Sequence, residues 1–154
     1  MRNAAAIVYG QILVTAIVAT LSEDEGLSAG QLEFWVVVTM GVFWLAHVYA
    51  EGFARRLERD RDLGPADLHE LARDELPELY PALPAVLALG LGWVGVLSTH
   101  AAANLAIGLG VAALAATGFV VARRSRLSPR ATVTAVVVNA AFGLAIVALK
   151  VFID

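Results

Sequence analysis

The sequence predicts an all-α bundle of five transmembrane helices, with an extended second helix and a short amphipathic helix on the cytoplasmic side. Three observations carry that expectation. Hydrophobic residues make up 59% of the 154 positions and the mean hydropathy is +0.74, against about 45–50% apolar residues in soluble domains. Five apolar runs recur, at 4–21, 34–52, 85–100, 105–122 and 131–152. With five spans, every arginine (Arg2, Arg55, Arg56, Arg59, Arg61, Arg73, Arg123, Arg124, Arg126 and Arg130) falls on one side and only Lys150 on the other. The positive-inside rule then places the N-terminus in the cytoplasm and the C-terminus outside a plasma (inner) membrane.

The first run is uncharged from Ala4 to Leu21. It reads as a retained span, because a signal peptide's apolar region is about 7–15 residues and no clean small-x-small site precedes Ser22. Gln11, Thr15 and Ser22 fall on one face, which should look into the bundle. An acidic turn, Glu23-Asp24-Glu25, follows as a solvated loop. Glu33 then opens the second helix, where the helix dipole favours a carboxylate.

That second helix runs from Phe34 towards Asp62. At 1.5 Å per residue, about 29 residues span roughly 43 Å, while a hydrocarbon core is about 30 Å thick. Two turns should therefore stand in the cytoplasm, supported by Glu51/Arg55 and Arg56/Asp60, four apart. Met40, Trp44, His47 and Glu51 share one stripe of this helix. A histidine and a carboxylate at that spacing can bind a divalent ion, relay a proton or hydrogen-bond each other.

Residues 53–80 form a cytoplasmic acidic insertion. Gly64-Pro65 starts a helix and Pro77 limits it. Leu68, Leu71 and Leu76 supply its apolar side, while Asp67, Glu70 and Asp74 line another face, either a solvated acidic surface or oxygen donors suited to a hard or borderline cation once another helix or subunit completes the set. Pro77, Pro81 and Pro84 stiffen the approach to the third span, whose Gly90, Gly92 and Gly95 allow close backbone contact. His100 and Asn104 mark a short outer turn. In the fourth span Gly108, Ala112 and Ala116 form a close-packing face. After the basic loop Arg123–Arg130, the fifth span places Thr132, Asn139, Gly143 and Lys150 near one face.

The chain has no cysteine, so disulfides and thiolate sites are excluded. No phosphate-cradling lysine loop, nucleophile elbow or His-Glu-x-x-His is present, which argues against an enzyme. Nucleic-acid binding has no support, since topology accounts for the arginines.

The five spans, the extended helix with Glu51, the acidic segment Asp67–Glu78, the glycine-rich third span and the basic loop together resemble the vacuolar iron transporter family. The first span has no intramembrane Asp, and the insertion is shorter than in that family. The resemblance implies a dimer that exchanges a divalent metal ion, its substrate, for protons. Glu51 would be the membrane-exit ligand with Met40 or His47 beside it, and Asp67, Glu70, Asp74 and Glu78 the gathering site. The run Phe43–Glu51 is also similar to small integral membrane proteins of high-GC bacteria, a likeness that implies no activity. The leading expectation is a small membrane protein that handles a cation. The second is a non-transporting scaffold or accessory subunit whose cytoplasmic helix docks a partner.

Overall fold

The computed structural model describes the backbone of residues 2–24, 26–59, 64–126 and 128–153, with side chains within 5–24, 26–57, 64–126 and 128–148. Expectations for Glu25, Asp60 and the Lys150 side chain lie outside these residues. The described chain is helical, without a strand: α1 (Arg2–Leu21), α2 (Ala29–Arg59), α3 (Pro65–Asp74), a 3₁₀ helix (Leu76–Ala82), α4 (Leu83–Trp93), α5 (Thr99–Arg124) and α6 (Pro129–Ile153).

Three helices are long and apolar enough to cross a membrane, at Ala29–Leu57, Thr99–Arg124 and Pro129–Ala148. The apolar stretch Ala5–Leu21 of α1 is shorter. The expected third span, 85–100, is corrected more sharply. Helix α4 has 11 residues, about 17 Å at 1.5 Å per residue, and stops at Trp93. Gly95 adopts φ +79°, and Val96 N–H donates to the Leu91 carbonyl at 2.9 Å while Gly95 N–H donates to that of Gly92 at 3.1 Å. That is a Schellman stop, which needs a left-handed residue just past the helix end. Ser98 then caps α5 by accepting from Ala101 N–H at 3.2 Å, so His100 and Asn104 lie in the first turns of α5 and not in an outer turn.

Helix α2 also begins earlier than expected. Ser28 Oγ accepts from Gln31 N–H at 3.4 Å and Gln31 Oε1 accepts from Ser28 N–H at 2.8 Å, a reciprocal capping box. Glu33 consequently sits in the second turn, beside Gly90. Ser28→Ala is expected to cost about 1 kcal/mol, read as a lower Tm in detergent with unchanged helix content.

Helices α1, α2, α4 and α5 enclose the core, with Val14, Val18, Leu32, Val36, Met40, Leu89 and Ile107 among its buried side chains. Helix α6 packs mainly on α5. Gln11, Thr15 and Ser22 are all buried, as their shared face suggested. Close approach occurs at Gly92, where a Cβ would lie 2.7 Å from Ala29 and 2.8 Å from Ala102, and at Gly110 and Gly118, which face Thr15 and Ala135. The expected close-packing face Gly108–Ala112–Ala116 is instead exposed. The face that packs is offset around the helix, because Gly110 and Gly118 rather than Gly108 meet neighbouring chain.

Candidate functional site

The stripe on α2 faces α3 and the 3₁₀ helix at the end of the bundle where α1 begins. Met40 is buried in the core. One turn on, the Trp44 indole N–H donates to the Ala72 carbonyl at 3.2 Å, which ties α3 back onto α2. His47 Nδ1 lies 3.0 Å from the Phe43 carbonyl and 3.3 Å from Glu78 Oε2. With the proton on Nδ1, the ring donates to the Phe43 carbonyl.

Glu78 is the buried charge-bearing group of this site, 3% exposed, and its Oε2 has no hydrogen-bond partner. The family resemblance implied Glu78 as one of four gathering carboxylates. The structure separates it from the others. Leu71, Pro81 and Ala82 are buried alongside it in the segment clamped against α1 and α2. Desolvation by that burial, then the side-chain hydrogen bond and the like charge of Glu75, raise the Glu78 carboxyl to about 8. A carboxyl in that state can hold a proton at neutral pH.

Glu51, expected as the membrane-exit ligand, accepts from Arg55 Nε at 3.2 Å. Arg55 Nη2 reaches Asp74 at 3.4 Å, so one guanidinium bridges α2 to the end of α3 and compensates two carboxylates. Asp67 Oδ2 accepts from Gly64 N–H at 2.8 Å and closes the start of α3, and Glu70 is exposed. The three acids on α3 therefore do not converge: one caps, one pairs with Arg55 and one faces outward. Among the described residues no group of three or more His, Cys, Asp or Glu side chains is arranged to hold a metal ion.

What does converge is a cleft of about 350 Å³ lined by Ala5, Ala6, Tyr9, His47, Ala50, Glu51, Glu75 and Glu78. It gives access to a buried, protonatable carboxyl next to an imidazole, with two further carboxylates on its walls. Glu75 and Tyr9 were not among the expected site residues. Glu75 was legible only as part of an acidic run, and Tyr9 as an aromatic in an apolar one. No family model, curated protein or solved structure matches the chain.

Proposed function

We propose that this is a small multi-pass membrane protein that takes up and releases a cation at the His47–Glu78 cleft, with the proton as the ion bound by Glu78 and a divalent metal as the ion exchanged for it. The observation that carries the reading is the buried Glu78 oxygen without a hydrogen-bond partner, 3.3 Å from His47 Nδ1 and served by a cleft. An ionisable group is costly where water is scarce, and its proton occupancy responds to any neighbouring charge. A cation entering the cleft would favour ionised Glu78 and so expel its proton. Metal coordination needs more donors than the resting arrangement brings together, and a second copy of the chain in a dimer is the source we assign to them. We assign the arginine-rich ends of α2 and α5 to the cytoplasm by the positive-inside rule, and this cleft with them.

In this scheme Glu51 and Arg55 hold the wall of the cleft, and Trp44 and Asp74 hold α3 across its rim. Flux of manganese or ferrous ion into proteoliposomes with an imposed pH gradient, beside protein-free liposomes, tests the proposal. Gradient-dependent uptake is expected, reduced at least about tenfold by Glu78→Gln and less by Glu51→Gln. Absence of uptake with folded, oriented protein overturns it. The docking reading would then gain, through the exposed Leu68, His69 and Glu70 of α3.

A further inference from the structure

A second feature lies outside that cleft, on another side of α1. Helices α1 and α5 line a groove of about 910 Å³, within the range of about 300–1,000 Å³ typical of ligand sites. Its walls are apolar and mostly small, with Ala5 and Ile7 from one helix and Ala113, Ala116 and Val120 from the other. Gln11 and Thr117, also in its lining, satisfy each other, at 3.1 Å from Gln11 Nε2 to Thr117 Oγ1. At its mouth stand Arg124 and Ser125.

Among the described residues Arg124 makes no ion pair, whereas the neighbouring Arg123 is engaged over the Phe119 ring at 5.8 Å. The carboxylates Glu51, Asp67, Glu70, Asp74, Glu75 and Glu78 lie on or beside α2, α3 and the 3₁₀ helix. A second groove, of about 450 Å³ between α1, α5 and α6, has apolar walls with Asn139 and Thr117 but no charged lining residue. Of these two grooves, the first combines an apolar trough with a cation that, among the described residues, makes no ion pair.

We infer that the α1–α5 groove is a binding site for an anionic phospholipid, with an acyl chain along the Ala113–Ala116 wall and the phosphate-bearing headgroup on Arg124. An arginine presents a planar fork of donors that matches phosphate oxygens, and basic pockets between membrane helices select anionic headgroups. The positive-inside rule and the helix C-terminus account for arginines near this position. They do not account for an apolar trough that ends at one of them.

The test uses the full chain in mild detergent and measures binding of phosphatidylglycerol, phosphatidylcholine and inorganic phosphate by native mass spectrometry and thermal shift. Phosphatidylglycerol should bind about fivefold more tightly than phosphatidylcholine, the preference expected of one arginine near the headgroup. Arg124→Gln should remove that preference while Arg126→Gln leaves it, and Ala116→Phe, which fills the trough, should weaken both lipids. Equal binding of the two lipids overturns the inference. So does a preference that survives Arg124→Gln, or one lost equally in Arg126→Gln, which would signify a diffuse basic surface. Thermal stabilisation by phosphate alone equal to that by the lipid would show an ion site without an acyl-chain site, and also overturns it.

Discussion

Glu78→Gln is expected to remove most of a pH dependence that the wild-type protein should show between about pH 4.5 and 8. The folded carboxyl titrates at about 8, against 4.5 when unperturbed. Between those values the folded protein keeps a proton that the unfolded chain releases, so stability falls as pH rises. The contribution is complete below about 4.5 and lost by the time the pH passes 8. With the side chain 3% exposed, solvent screening is weak and the loss is on the order of a few kcal/mol. Thermal melts in detergent at pH 5, 6.5 and 8 measure it. The neutral amide mimics the protonated carboxyl, so the variant should melt at a higher temperature than wild type at pH 8 and at nearly the same temperature at pH 5. Parallel melting curves for variant and wild type across the range would show that Glu78 is not the group responsible.

The prominence of Glu78 was only partly legible in the sequence. It stands between Pro77 and Pro81, in a stretch that reads as a stiff approach to the third span. Three prolines within eight residues disfavour a regular α-helix, yet 3₁₀ geometry accommodates them over short pieces. That geometry carries Glu78 inward between α1 and α2. By contrast, the α2 stripe was legible because helical spacing alone aligns Met40, Trp44, His47 and Glu51. What spacing cannot supply is the partner on the other side. Trp44 meets a backbone carbonyl, His47 meets Glu78, and Glu51 is taken by Arg55. The acids of α3 illustrate the same limit, since equal spacing along a helix does not say whether a carboxylate will cap, pair or face outward. The early stop of α4 was carried by Gly95, whose spacing from Gly90 and Gly92 reads equally as a packing face.

Gly118→Ala is expected to weaken the α5–α6 contact strongly, while Gly108→Ala, ten residues earlier on the same helix, should be neutral or slightly stabilising. At Gly118 a Cβ would lie 2.8 Å from the Ala135 carbonyl oxygen and 3.0 Å from Asn139 Nδ2. The oxygen is main-chain and cannot swing aside, and Asn139 Nδ2 is itself held at 2.9 Å by the same carbonyl. Relief therefore requires the two helices to separate, at a cost of about 1–3 kcal/mol for overpacking. Separation would also loosen Gly143 from Val111, where the two helices approach again. At Gly108 nothing lies within 4 Å of the added atom, and alanine is intrinsically the better helix former by about 1 kcal/mol. Thermal melts and limited proteolysis of the 124–130 connection measure both variants. A lower Tm and faster cleavage are expected only for Gly118→Ala. If Gly108→Ala proves the more damaging, the face bearing Gly108 must pack against something beyond the single chain, and a second copy of the protein is the surface to look for by measuring oligomeric state in the same detergent.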